Sequence, residues 1–189
     1  ALTGQMSFME SISCLSVMPK DLGYESTITF FNTADSYQYT IPNDFIDVKS
    51  GVICCPNNYQ LQKDLPEGII RVTNIANYQM WKQLFLNDPE GYYRLKEKRY
   101  EESLQEIFKF KPQFKDKIVF SDVFTPHSIE RYTTHINGAV YGSPIKRKTG
   151  KTDFKNLIIC GTDQGFLGIV GALLSGISMA NLHGLNQKD

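Results

Sequence analysis

No G-x-G-x-x-G follows a strand near the start of this 189-residue chain, which disfavours a stand-alone NAD-dependent enzyme. No C-x-x-C pair exists among Cys14, Cys54, Cys55 and Cys160, so the spacing of zinc ligands is missing. His127, His135 and His183 are the only histidines, and no H-E-x-x-H or paired-ligand spacing joins them, so no metal site is expected. The G-x-S-x-G elbow of serine hydrolases is also absent. Charge of one sign is not in excess: 20 basic residues balance 20 acidic ones, which argues against binding nucleic acid by electrostatics alone. No basic start followed by an apolar run marks a secretory leader. The longest apolar stretch, Phe166 to Ala180, is shorter than the roughly 20 residues of a membrane span and is interrupted by glycines. Ala1 replaces an initiating Met, as expected of a processed or partial chain.

What remains is an ordinary globular composition, 41% hydrophobic and 21% charged. The cysteine pattern suits buried thiols in a reducing, cytoplasmic compartment. The first third reads as strands: Ser7 to Met18, Ser26 to Asn32, Gly51 to Cys55 and Ile69 to Thr73, punctuated by Pro and Gly. Asn77 to Leu86 reads as a helix with Tyr78, Trp81 and Phe85 on one side. Asp88-Pro89 caps and opens a second helix, whose apolar face is expected to hold Tyr93, Tyr100, Leu104, Ile107 and Phe108. Lys117 to Phe124 reads as a strand, and Thr125-Pro126 opens a short helix through Tyr132. Ile136 to Gly142 reads as a glycine-containing loop or strand, and Lys146 to Lys151 as an exposed turn. The expected fold is α+β: a mostly antiparallel sheet covered by helices over residues 1–135, then a terminal strand and helix over 136–189. Phe30, Phe31, Tyr37 and Tyr39 are expected to form core or to line a lipid-like cavity.

The last segment carries the chemistry. Asn156 to Cys160 is a continuous apolar run, as in a strand buried on both faces. Gly161, Gly165 and Gly168 follow, and a helix begins near Ile169. Such a corner offers free N–H groups and a partial positive charge to a phosphate or a flavin carbonyl. Asp163 can accept hydrogen bonds from ribose or ribityl hydroxyls. Gly168, Ala172, Gly176 and Ala180 form a ridge of small residues that permits close packing, and packing alone would also explain it.

The segment NLIICGTDQGFLGIVGALLSGISMANL resembles the C-terminal FAD-binding signature of phytoene desaturases, carotenoid isomerases and retinol saturases, within the flavin-containing amine oxidoreductase superfamily. The matching elements are Gly161, Asp163, Gly168-Ile169-Val170-Gly171-Ala172 and Ser175-Gly176. TPHSIERYTTHINGAVYGSP resembles the family's Thr-Pro motif, Arg-Tyr pair and Gly-Ala-x-Tyr-Gly loop, at Thr125-Pro126, Arg131-Tyr132 and Gly138 to Gly142. The stretches SCLSVMPKDLGYESTITFFN and LPEGIIRVTNIANYQMW are similar to the substrate-domain strands of the retinol saturase branch.

The resemblance implies an FAD-dependent oxidoreductase acting on carbon–carbon bonds of polyene, carotenoid or retinoid-like substrates, by desaturation, saturation or isomerisation. It implies FAD contacts at Gly161, Thr162, Asp163, Gly168, Ile169 and Val170, with Gly138 and Tyr141 approaching the flavin or the substrate. It also implies a partner segment, N-terminal in the family, that holds the ADP half of FAD; without it this chain would hold FAD incompletely and be inactive. The sheet from Ser7 to Thr73 would floor an apolar substrate tunnel, and such substrates would favour contact with a membrane surface. No side chain stands out as acid or base, because the cofactor does the redox chemistry. Tyr141 and His127 are the nearest candidates, with structural roles expected for both, and for Asp122 and Glu130. The alternative reading is a non-catalytic lipid-binding or protein-interaction module that keeps the fold without flavin.

Overall fold

Alternation along the first strand explains the layer it builds. A computed structural model describes residues 4–185. In it β1 (Ser7–Leu15) buries every second residue, from Ser7 through Met9, Ser11 and Ser13 to Leu15. The period of two puts these on one face, and leaves Phe8, Glu10, Ile12 and Cys14 half-buried on the other. Four more strands follow: β2 (Ile28–Asn32), β3 (Ser50–Cys54), β4 (Gly68–Ala76) and β5 (Ile118–Phe124). The sheet order is β2-β3-β4-β1-β5, and every pair is antiparallel. The chain is therefore α+β. β1 sits between β4 and β5, and pairs along its whole length with β4, from Ser7 opposite Ala76 to Leu15 opposite Gly68.

Three helices belong with this sheet: α1 (Tyr78–Asn87), α2 (Pro89–Phe108) and α3 (Pro126–Thr133). Each is capped by its own sequence. The side chains of Asn77, Asp88 and Thr125 accept from the N–H groups of Met80, Gly91 and Ser128 at 3.2, 2.9 and 3.3 Å. The helices bury two apolar clusters against the sheet. One gathers Ile53, Ile70, Val72, Ile107 and Phe114; the other gathers Met9, Ala76, Trp81, Tyr92 and Val123. The residues of α2 that face the core are Tyr92, Ser103, Leu104 and Ile107. Tyr93, expected there, is 59% exposed. Each helical step rotates about 100°, so reading the stripe one residue late moves an aromatic off the core.

A polar seam separates the two clusters. Asn74 is fully buried, donates to the carbonyls of Asp47 and Ser50 at 3.0 Å each, and accepts from Ser103 at 2.8 Å. Ser13 meets the Tyr100 hydroxyl at 2.8 Å. At the α1–α3 contact, Glu130 accepts from the Tyr78 hydroxyl at 2.6 Å and from Lys82 at 2.8 Å. Lys82 and Tyr78 hold the Glu130 carboxyl below its ordinary value. Burial, with Glu130 as its acceptor, pushes the Tyr78 phenol up to about 12.

The chain divides into two units. The larger is Gln5–Gly138; the smaller takes Gly4 and the described residues from Ala139 onward, where α4 (Gly168–Ala180) lies. The boundary expected from sequence is at 135. Asn156 to Cys160, expected as a strand buried on both faces, is not one. Lys151 and Ile158 make a single isolated bridge, and Leu157 and Cys160 are exposed. A two-sided buried strand needs neighbours on both edges and layers on both faces, and the described residues of this unit supply none. The cysteines form no disulfide, but only Cys55 is buried; Cys14 and Cys54 are half-buried and Cys160 is exposed. Phe31 joins the core, whereas Phe30, Tyr37 and Tyr39 are exposed. Continued by Asn181–Leu185, α4 becomes an 18-residue segment of mean hydropathy 1.3, with 11% of it buried. By length and composition alone it is long and apolar enough to cross a membrane, a property shared by core helices.

Two outcomes follow from this packing. Asn74→Ala leaves Ser103 and two carbonyls without their partner, and should cost about 3 kcal/mol, read as a fall in the urea midpoint at constant slope. Glu130 binds protons less readily folded than unfolded, so its contribution is complete above its ordinary value of 4.5 and is lost as pH falls through the lower folded value. Glu130→Gln should flatten that acid limb of the stability profile, measured by denaturation at stepped pH.

Candidate functional site

The glycine-rich corner belongs to the smaller unit. A short 3-10 turn at Gly161–Asp163 leads through Gln164 to Leu167 and into α4. Gly161 and Gly168 have φ of +79° and +73°, a left-handed backbone that side chains rarely adopt. Leu167 occupies the cap position of α4 and offers no side-chain hydrogen bond, so the N–H groups of the first turn are not satisfied by a cap. Ile169 and Val170 are 84% and 69% exposed, and nothing lies within 4 Å of where a Cβ on Gly168 would sit. The backbone at this end of α4 is open to a planar or anionic group.

Asp163 joins the two sequence segments that bear the family resemblance. Its Oδ1 accepts from the Ser143 N–H at 2.7 Å, and its carbonyl accepts from the Arg147 N–H at 2.9 Å. A Cβ on Gly142 would lie 2.3 Å from the same Oδ1, so only glycine admits this approach. The loop carrying Tyr141 is thereby drawn onto the turn carrying Gly161 and Thr162. Tyr141 is 44% exposed, and its carbonyl accepts from Lys146. One Asp163 oxygen is thus already engaged by the protein.

Sequence reading did not single out Gln164, and it named Ser175 only within the Ser175-Gly176 match. Both are buried. The Ser175 hydroxyl accepts from the Gly161 N–H at 2.6 Å and donates to the Gln164 side-chain carbonyl. The Gln164 amide donates in turn to the Lys148 carbonyl at 2.9 Å. This chain of bonds ties the turn, the 146–151 loop and the middle of α4 together. A polar residue between glycines was its only trace in the sequence, and the pairing with Ser175 depends on how the turn folds back. The small-residue ridge has no tight neighbour: Ala172 and Ala180 are exposed, and nothing lies within 4 Å of a Cβ on Gly176. α4 instead buries Ser175 and Met179.

The other candidates lie in the larger unit. Gly138 is buried, and a Cβ there would meet the Pro126 carbonyl at 2.4 Å and the Ser7 hydroxyl at 3.0 Å. Its closeness thus serves packing within that unit. His127 stacks on Phe85 with ring centroids 4.0 Å apart, and burial lowers its pKa. Asp122 binds the Val123 N–H at 2.7 Å and lies 3.8 Å from Lys96. The half-buried sheet face expected to floor a tunnel is not purely apolar, since an Arg71–Glu10 ion pair stands on it among Ile12, Ile69 and Val52.

No protein-family model matches the chain, and no curated protein matches it.

Ser175→Ala should break the bond to Gly161 and free Gln164. Amide exchange at Gly161 should quicken about tenfold or more while exchange in β1 and β4 stays unchanged, read by NMR.

Proposed function

We propose that this chain is the C-terminal part of an FAD-dependent oxidoreductase similar to phytoene desaturases and retinol saturases, acting on carbon–carbon bonds of apolar polyene-like substrates. The observation that carries the reading is Asp163: through Ser143 and Gly142 it brings together the two segments whose motifs resemble that family. The residues present fit the cofactor. Uncapped N–H groups at Gly168, Ile169 and Val170 suit a flavin carbonyl or a phosphate, and the open space at Gly168 admits a planar group. When bound, the flavin would accept or supply the hydrogens removed from or added to the substrate.

This chain's own residues would bind and orient. The first turn of α4 would present donors to the flavin end of FAD. Asp163 would hold the Tyr141 loop against the turn and offer its second oxygen to a ribityl or ribose hydroxyl. Ser175 and Gln164 would keep the turn in shape. The exposed apolar side of α4, with Ile169, Val170 and Leu173, would be covered by the segment that holds the ADP half of the cofactor. Such a protein would work in the cytoplasm, touching membrane where its substrates reside.

The test is a visible absorption spectrum of the longest natural form of the protein, purified gently. Flavin bands are expected, and replacing Asp163 and Gly168 together by leucine should abolish them while the protein stays folded by circular dichroism. A colourless, folded protein that also refuses added FAD would overturn the proposal and favour a lipid-binding or interaction module.

A further inference from the structure

A second candidate site lies in the larger unit, beside the edge strand β5, and does not rest on the flavin reading. Residues from α1, α2, β5 and α3 line a partly open cavity of about 170 Å³. Its walls are largely aromatic, including Phe85, Tyr92, Tyr93 and Phe124. A cavity of about 150 Å³ accommodates one benzene ring, so this space has room for a single ring with a polar group at its open side.

The charges around it do not cancel. Lys96 and Arg131 both line the cavity, and Asp122 is the one carboxylate that does. Asp122 sits 3.8 Å from Lys96, beyond hydrogen-bond range, and its Oδ1 is already used by the Val123 N–H. Glu130, the neighbour of Arg131, is committed to Tyr78 and Lys82 on the α1 side. The Arg131 guanidinium is left with the Tyr132 ring, 5.8 Å away, and forms no ion pair among the described residues. His127 adds no charge at neutral pH, because burial keeps its ring neutral. Its Nδ1 is buried without a hydrogen-bond partner, and its ring lies against Phe85. The balance is one unmatched positive charge at the side of an aromatic slot.

We propose that this cavity binds a compact aromatic carboxylate, its carboxylate held by Arg131 and Lys96 and its ring lying against the Phe85–Tyr93 side. Arginine suits this task because its planar donors match both carboxylate oxygens, and Lys96 adds a point charge. Edge and face contacts with the tyrosines would hold the ring. The carboxylate supplies the negative charge the lining lacks.

Benzoate is the probe, titrated into the full chain and followed in 1H–15N correlation spectra, with benzamide as the uncharged isostere. The expected result is saturable shifts confined to residues 85–96 and 122–132, with benzamide causing none. Arg131→Gln should weaken benzoate binding about tenfold, and Lys96→Gln should weaken it less. Arg131 is exposed, so its variant should keep the parent spectrum elsewhere; if it does not, Lys96→Gln carries the comparison. A folded protein showing no saturable shift at these residues would overturn the proposal. So would benzamide binding as tightly as benzoate, or folded charge variants that bind as well as the parent.

Discussion

The larger unit depends on a polar seam buried through the middle of its sheet. Asn74 stands on β4 between Val72, in one apolar cluster, and Ala76, in the other. Met9 stands across from it on β1, Ser11 and Ser13 follow on the same buried face opposite Val72 and Ile70, and Ser103 comes down from α2. A buried amide left unpaired is costly, so every bond Asn74 makes constrains the parts it touches. Those parts are the carbonyls that lead into β3 and the C-terminal third of α2. The seam therefore fixes where the long helix crosses the sheet. It also fixes the register of β4 against β1, because a one-residue slip would turn Asn74 toward the half-exposed face.

The smaller unit is organised differently. It has no sheet of its own among the described residues, and its order comes from backbone turns and a few side-chain bonds. Ser175 and Gln164 do between the turn and the middle of α4 what Asn74 does in the sheet: they satisfy buried polar groups while specifying one arrangement. The apolar surface of α4 is left open, with most of its large side chains exposed. A helix this apolar is ordinarily covered, and the proposed flavin reading supplies a cover of definite chemistry.

Much of this was legible in the sequence, for local reasons. The strand positions followed β-branched and aromatic runs. The caps at Asp88 and Thr125 followed from one acceptor side chain ahead of a proline. The misreadings share one cause, which is that burial is not a local property. NLIIC is as apolar as a central strand, yet no neighbouring strands receive it here. Tyr92 and Tyr93 are indistinguishable in composition, and only the crossing of α2 over the sheet decides which enters the core. Phe30 and Phe31 are divided by the pleat of an edge strand in the same way.

The sequence by itself determined the α+β class, the order of the strands and helices as far as Thr133, and the starts of the capped helices. These depend on dihedral preferences and on hydrogen bonds that span a few residues. Only the tertiary structure decided that Asp163 would meet the loop at Gly142, and that Ser175 would hold Gly161. Tertiary structure alone also put Arg131 and Lys96 beside one aromatic cavity. Those meetings join residues far apart in the chain, and they exist only because packing brings their elements to the same place.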